Sequence, residues 1–305
     1  MKNDSTDQGT VISVTRRYIS VCDREANMHL GKTAKREMEP IVGDLVTFEA
    51  KGSSALIQEI LPRKNQLRRC YFGREKSLAT NLDLLLILAA PSPLWNPIFV
   101  DRAFAAARCE GIPVALVLNK SDLEGEALSE VAHVKSYRSM NIPIFEISAK
   151  LDHNLEPLIS FIQDSQSRMV AFCGVSGVGK STLLNRLIPD ALNKTQTVSQ
   201  KTGQGRQTTS QSVAYIYPNT TEQTFFIDLP GIQNYGVSHL TIENLLNAFP
   251  DLQAYSSACR FSNCTHRAEE ECGVKQAVTD GNVSQSRFDS YIQLREEIET
   301  SNSFD

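Results

Sequence analysis

The sequence lacks any apolar run near the ~20 residues that a membrane-spanning helix needs. Its longest apolar run, Leu84–Ala90, is far shorter and is typical of a buried strand. The N-terminal segment MKNDSTDQGT is polar and has no apolar stretch of the kind found in secretion signals. The cysteines number 7, an odd count that argues against a complete disulfide framework. We therefore expect a cytoplasmic protein that does not associate with membranes.

The composition is that of a soluble globular protein, with 41% hydrophobic and 22% charged residues. A length of 305 residues favours two or three domains. Charge is unevenly distributed, because residues 10–74 contain 12 Lys and Arg but only 7 Asp and Glu, whereas the whole chain has a net charge of −4. This local excess indicates either an anionic partner or an ordinary solvated surface.

Hydrophobic periodicity divides the chain into regions. Residues 1–9 are expected to form a disordered tail. Residues 10–69 contain short β-type runs (TVISVT, YISVCD, DLVTFEA and SALIQEIL), which predict a small barrel, and residues 62–69 are interpreted as a basic linker. Residues 70–236 alternate apolar strands with helices and predict a mostly parallel sheet covered on both faces. Residues 237–305 predict a helical module.

The segment from Gly174 to Ser181 fits the phosphate-binding pattern G-x-x-x-x-G-K-[ST]. A strand-like run (MVAFC) precedes it and a helix-like run (STLLNRL) follows it. The glycines let backbone N–H groups surround phosphate oxygens, and the helix N-terminus adds a favourable dipole. We expect Lys180 to act catalytically on the β- and γ-phosphates and Ser181 to bind Mg²⁺. The predicted nucleotide-binding residues here are Gly174, Val175, Ser176, Gly177, Val178, Gly179, Lys180, Ser181 and Thr182.

Asp228 and Gly231 form a D-x-x-G element at the end of the apolar run TFFI. In P-loop proteins the aspartate at such a position holds Mg²⁺, usually through water, and the glycine N–H meets the γ-phosphate. The element is weak evidence alone, but its place after the phosphate loop predicts a nucleoside triphosphate site with Mg²⁺.

Two further elements predict that the base is guanine. Asn119, Lys120 and Asp122 fit N-K-x-D after the run VALVL, and Ser148, Ala149 and Lys150 fit S-A-K after PIFEI. A carboxylate at position 122 can accept hydrogen bonds from guanine N1–H and the 2-amino group. Adenine lacks this donor pair and would leave the carboxylate unpaired, which disfavours an ATPase. In S-A-K elements a backbone N–H usually meets guanine O6.

A metal site is predicted near the C-terminus. Three thiols and one imidazole lie within fourteen residues, at Cys259, Cys264, His266 and Cys272. They provide a full tetrahedral set for one structural Zn²⁺, with no open position for catalysis. Arg260 and Arg267, beside these residues, either contact phosphate or only solvate the surface.

The order of these motifs is rotated relative to Ras-like proteins, in which the phosphate loop comes first. This order, the barrel and the Cys/His cluster resemble the RsgA (YjeQ/YloQ) family. Further matching pieces are Ile41–Asp44, residues 59–67 (EILPRKNQL), Asp101-Arg102 and residues 239–252. The resemblance implies an N-terminal OB-fold β-barrel that touches rRNA, a central circularly permuted Ras-like α/β P-loop GTPase domain and a C-terminal α-helical zinc-binding domain. It also implies a monomer whose GTP hydrolysis is stimulated by the 30S ribosomal subunit late in that subunit's maturation, with 16S rRNA as a partner.

The chain departs from this family in its first switch segment. The family's G-R-H-T-T is Gly205-Arg-Gln-Thr-Thr209 here, and Ile232, after D-x-x-G, cannot orient water. We hypothesise that the Gln207 amide orients the attacking water; the alternative is that it only faces solvent. Thr208 is expected to give its hydroxyl to Mg²⁺, with Thr209 as the alternative.

The sequence also leaves a second function open. The protein could be a nucleotide-switched rRNA-binding factor in which hydrolysis is incidental. OB-folds bind nucleic acid through basic grooves and stacked aromatic residues. The candidate contacts are Arg16, Arg17, Tyr18, Lys35 and Arg36.

Overall fold

The computed structural model of the chain describes residues 7–71, 74–91, 95–123, 128–189, 212–218, 223–230 and 236–302. The strands are β1 (Asp7–Val14), β2 (Ile19–Asp23), β3 (Met28–Thr33), β4 (Leu45–Lys51), β5 (Ser54–Ile60), β6 (Gln66–Tyr71), β7 (Arg74–Thr80), β8 (Leu84–Ala89), β9 (Val114–Leu118), β10 (Ile144–Glu146), β11 (Met169–Gly174), β12 (Val213–Tyr217) and β13 (Thr224–Asp228). The helices are α1 (Pro97–Cys109), α2 (Ala132–Ser139), α3 (Leu155–Asp164), α4 (Lys180–Leu187), α5 (Ile242–Asn247), α6 (Pro250–Ser256), α7 (Gly273–Thr279) and α8 (Gln285–Asn302). Within this part of the chain, no helix combines the length and the apolar character needed to cross a bilayer.

The first five strands form a closed barrel in the order β1-β2-β3-β5-β4, with β4 returning to pair with β1. Neighbouring strands are antiparallel except β3 and β5, which are parallel. Alternate side chains point inward and build a separate core around Val21, Phe48 and Ile57, all fully buried. The predicted small barrel is therefore present, and it is OB-like.

Two local predictions in this region were wrong, and one strand was missed. Residues 7–9, expected in the tail, belong to β1, because Asp7 and Gly9 pair with β4. β3 was not predicted, because its inward positions hold His29 and Gly31 and not large apolar residues. The basic linker 62–69 becomes a strand from Gln66 onward, since β6 pairs with β7 in a separate hairpin.

A six-stranded sheet follows in the order β10-β9-β8-β11-β13-β12, parallel except for β12. Its central strands β8 (LLLILA) and β11 (MVAFCG) are buried along their whole length, as expected for strands covered on both faces. Leu85 and Ile87 of β8 pack on the side of α1, whereas Leu86 and Leu88 pack on the side of α3 and α4. The barrel meets this sheet edge where Ser13 of β1 pairs with Val213 of β12.

The C-terminal helices α5–α8 share one hydrophobic core with the α1 face of the sheet, through Phe249, Leu252 and Tyr291 among others. The last helix, α8, lies within the predicted helical module. The structure packs α8 against α1, α2 and α5, with Tyr291, Leu294 and Ile298 fully buried.

A buried charged network joins α8 to the sheet domain. Arg287 of α8 is fully buried and donates two hydrogen bonds to Asp251 of α6, at 2.9 and 2.8 Å, and another to Asp101 of α1. Asp101 also lies 3.1 Å from Nε2 of His133 and accepts from the hydroxyl of Tyr137. This network ties the C-terminal helices to α1 and α2.

Candidate functional site

The predicted motif loops meet at one edge of the sheet. The carboxyl ends of the parallel strands β9, β10, β11 and β13 lead into residues 119–122, 148–150, 174–180 and 228–230, respectively. Because such strand ends form the usual ligand-binding edge of an open α/β sheet, the topology brings together motifs that are up to about a hundred residues apart in the chain.

The phosphate-binding loop runs from the end of β11 to the start of α4. Gly177 (φ 82°) and Gly179 (φ 99°) have left-handed backbone conformations that only glycine adopts readily. A Cβ at Gly179 would overlap Nδ2 of Asn119, so this position also needs glycine for space. Lys180 begins α4, whose first N–H groups have no partner within the helix and are therefore suited to phosphate oxygens. Val178 is buried, whereas Ser176, Ser181 and Thr182 are exposed.

Lys180 links this loop to the D-x-x-G element. Its ammonium lies 2.7 Å from Oδ1 of Asp228 and also donates to the carbonyl of Leu229. Asp228 is 4% exposed, and within the described part of the chain Oδ1 receives no well-aligned hydrogen bond. A nearly buried carboxylate oxygen of this kind has the hard donor chemistry that Mg²⁺ prefers. The site residues Asp228, Lys180 and Ser181 thus fit a Mg²⁺–phosphate group.

Asn119 is the buried connector of the predicted guanine loops. Its side chain donates to the carbonyl of Val178 at 2.9 Å and accepts from the N–H of Ala149 at 3.0 Å. The phosphate loop and the S-A-K loop are therefore held together by one amide, which is 3% exposed. This side chain therefore restrains the spacing between the regions expected to bind phosphate and base.

Asp122, the residue predicted to read the base, is exposed and lies beside Ser148. The Ser148 hydroxyl donates to Oδ1 at 2.5 Å, and this hydrogen bond lowers the pKa of the Asp122 carboxyl below its usual range. The carboxylate is therefore ionised at neutral pH and keeps acceptor capacity for two more donors. Lys120 has a left-handed backbone (φ 64°), and Lys150 is exposed at the same edge.

The predicted switch residues Gln207, Thr208 and the alternative Thr209 lie outside the described residues, as does Gly231. After the D-x-x-G element, the next described residue is Gly236. Its carbonyl accepts a hydrogen bond from the N–H of Cys70 in β6 at 2.9 Å. The next N–H, of Val237, donates to Oε1 of Glu297 in α8 at 2.9 Å. Glu297 in turn pairs with Arg102 of α1. No local pattern in the sequence predicts this junction, because it joins three separate elements through single contacts.

The predicted metal residues converge in a second site. The ligand atoms of Cys259, Cys264, His266 and Cys272 all lie within 4.8 Å of one another. Sγ of Cys259 is 3.8 Å from Sγ of Cys272, and Nδ1 of His266 is 3.6 and 3.4 Å from these two sulfurs. With Zn–S of about 2.3 Å and Zn–N of about 2.0–2.1 Å, the edges of a tetrahedron are about 3.8 Å for S···S and about 3.5 Å for S···N. The cluster is compatible with a zinc site.

The arginines beside this cluster have partners within the protein. Arg260 pairs with Glu271 at 2.7 Å, and Arg267 pairs with Glu299 of α8 at 2.8 Å. The sequence left two alternatives for Arg267, contact with phosphate or simple solvation. The structure shows a third role, an ion pair that connects the cysteine cluster to α8.

The OB-like barrel carries a basic groove. Four of the five predicted contact residues line it, namely Arg16, Arg17, Tyr18 and Arg36, together with Lys32 of β3, which sequence reasoning missed. Lys35 does not line it. Tyr18 is 45% exposed and so presents an aromatic face beside the arginines. This arrangement is suited to an anionic chain with stacking groups.

The strand order, the phosphate loop after β11 and the base loops after β9 and β10 define a P-loop GTPase whose chain is circularly permuted. The sequence profile of the RsgA GTPase family matches residues 60–238. The chain belongs to the RsgA GTPase family.

Relatives match over nearly the whole chain. A protein of Nitrosospira multiformis named small ribosomal subunit biogenesis GTPase RsgA is 34% identical over 259 residues, covering 85% of this chain and 80% of the relative. The protein of the same name from Paraburkholderia xenovorans is 34% identical over 291 residues, covering 94% of this chain and 92% of the relative. The crystal structure of YjeQ from Thermotoga maritima superposes with a TM-score of 0.74 at 26% identity, covering 96% of this chain and 99% of that one. The structure of YloQ, described as a circularly permuted GTPase, superposes with a TM-score of 0.69 at 25% identity. It covers 98% of this chain and 97% of that one.

Proposed function

We propose that this GTPase acts in the maturation of the small ribosomal subunit in the cytoplasm, as a monomer, and that the 30S subunit stimulates its hydrolysis of GTP. The observation that supports guanine as the base is the ionised Asp122, held by Ser148 at the same sheet edge as the phosphate loop. The ribosomal part is supported by the name that the relatives share.

In this proposal Asp122 accepts from guanine N1–H and the 2-amino group, and the S-A-K loop approaches O6. The N–H groups of residues 174–181 and Lys180 surround the β- and γ-phosphates, so that Lys180 exchanges Asp228 for phosphate oxygens. Mg²⁺, held by Ser181, Asp228 and Thr208, would supply charge neutralisation and orientation of these phosphates. Gln207 orients the water that attacks the γ-phosphorus, and Lys180 stabilises the charge that develops on the departing GDP.

We also propose that Cys259, Cys264, His266 and Cys272 bind one structural Zn²⁺. All four positions of the tetrahedron are then filled by protein, so the ion orders the loop and takes no part in hydrolysis. The basic groove of the barrel is proposed to contact 16S rRNA. This groove also favours the second candidate function, a nucleotide-switched rRNA-binding factor in which hydrolysis is incidental.

The two functions differ in what the ribosomal subunit does to turnover. Phosphate release is measured with and without purified 30S subunits, with GTP or ATP as substrate and Lys180→Ala as the inactive control. Stimulation by at least about tenfold, specific for GTP, supports the enzyme. Nucleotide-dependent 30S binding without stimulation supports the binding factor, and equal use of ATP refutes the guanine site. An unchanged 30S-stimulated rate in Gln207→Ala removes the proposed role of that residue.

A further inference from the structure

Arg186 makes a two-pronged contact with the S-A-K loop. It lies in the last turn of α4, the helix that begins at the phosphate loop. Its Nε donates to the carbonyl of Ala149 at 3.1 Å, and its Nη2 donates to the carbonyl of Lys150 at 2.9 Å. Bonds from a guanidinium are charge-assisted and geometrically specific, because the planar fork fixes both donors at once.

The two carbonyls that accept these hydrogen bonds belong to the two peptide units that flank Lys150. Because each peptide unit is planar, holding both oxygens fixes the backbone on either side of this residue. The loop needs such restraint, since Lys150 and Leu151 are exposed and Leu151 is 62% accessible to solvent. Burial therefore does not order this part of the loop, and hydrogen bonds do.

Arg186 and Asn119 restrain the same loop from two sides. Asn119 accepts from the N–H of Ala149 within the protein interior, and Arg186 binds the carbonyl of the same residue from α4. Ser148, which holds the base-reading Asp122, is the preceding residue. Because α4 is continuous with the phosphate loop, its last turn sets the distance between the base-recognition and phosphate-binding parts of the site.

We infer that Arg186 is a positioning residue for guanine recognition: it preorganises the S-A-K loop from the phosphate-loop helix and thereby strengthens binding of the base, without acting on the phosphates. The inference rests on the proposed guanine site. Preorganisation lowers the ordering cost that a ligand would otherwise meet, and its loss appears mainly as faster dissociation.

The test compares Arg186→Met, which keeps the apolar stem, with Arg186→Lys, which keeps a charge and one donor group. Arg138→Met, an exposed arginine in the last turn of α2, is the matched control. Affinity and dissociation rate are measured for a fluorescent GDP, and inorganic triphosphate serves as a probe without a base. kcat is measured at saturating GTP.

We expect Arg186→Met to weaken GDP about tenfold, equivalent to about 1.4 kcal/mol, through faster dissociation. Triphosphate affinity and kcat should stay within about twofold of wild type, and Arg186→Lys should recover part of the loss. Equal weakening of GDP and triphosphate would instead assign Arg186 to the phosphate loop and overturn the inference, as would wild-type GDP affinity in Arg186→Met. A wild-type protein without preference for guanine over adenine nucleotides would refute the proposed function itself, which is a separate result.

Discussion

Replacing Arg287 by methionine is expected to destabilise the folded protein by about 3–5 kcal/mol, the usual cost of breaking a buried ion pair. Arg287 is fully buried and compensates two carboxylates, those of Asp251 and Asp101. Its guanidinium also stacks 4.3 Å from the ring centroid of Phe249. Methionine retains much of the side-chain volume, so the loss comes chiefly from leaving Asp101, which is 0% exposed, without its cationic partner.

Equilibrium unfolding in urea, followed by tryptophan fluorescence, measures this effect. The chain has 1 tryptophan, Trp95, and its ring lies edge-on to His133 at 5.7 Å, next to the network. If uncompensated charge is the cause, Asp101→Asn combined with Arg287→Met should be more stable than the sum of the single losses predicts. A loss below about 1 kcal/mol in Arg287→Met, or strict additivity in the double variant, would refute the reasoning, since about 0.5 kcal/mol is ordinary for surface substitutions.

The same network predicts a dependence on pH. Burial alone would raise the pKa of Asp101, but Arg287 and the hydrogen bonds from His133 and Tyr137 outweigh it and lower this pKa to about 2. The unfolded value is about 3.9, so the carboxylate contributes stability above about pH 4 and loses it as the pH falls toward 2. The stability difference between wild type and Asp101→Asn should therefore be constant from about pH 5 to 8 and shrink below about pH 4. A difference that was still undiminished at about pH 2 would contradict the assigned pKa.

Three further results are expected. Cys259→Ser should lose bound zinc, measured by elemental analysis, and destabilise the C-terminal helices, while GDP affinity changes less than about twofold; a full zinc content would contradict the tetrahedral site. Glu297→Gln keeps an acceptor for the N–H of Val237 and should hydrolyse GTP near the wild-type rate. Glu297→Ala removes this acceptor and should hydrolyse GTP severalfold more slowly. Equal rates in the two variants would exclude a role for the Glu297–Val237 hydrogen bond in hydrolysis. Gly179→Ala should weaken GDP at least about tenfold, because the added methyl group displaces Asn119, and wild-type affinity would show that the loop can adjust.

Short motifs predicted which loops meet at the candidate nucleotide site and which side chains cluster at the candidate metal site. A phosphate loop, a base-reading carboxylate and a set of thiols each depend on a few residues at fixed spacing, and that spacing is printed in the sequence. Continuous apolar runs such as that of β8 predicted the buried parallel strands for the same reason. Where local signals were mixed, prediction failed: β3 buries a histidine and a glycine, and β6 carries arginines in a segment taken for a linker.

The sequence by itself determined which groups are candidates to bind phosphate, base and metal, because covalent spacing and side-chain chemistry are local properties. Tertiary structure alone decided how those groups are held. Arg186 meets the S-A-K loop across 36 residues, Asn119 meets the phosphate loop across 59, and Arg287 meets Asp101 across 186. Such contacts leave no periodic pattern in the chain, since they arise only when sheet order and helix packing bring distant backbone and side-chain groups within hydrogen-bonding distance.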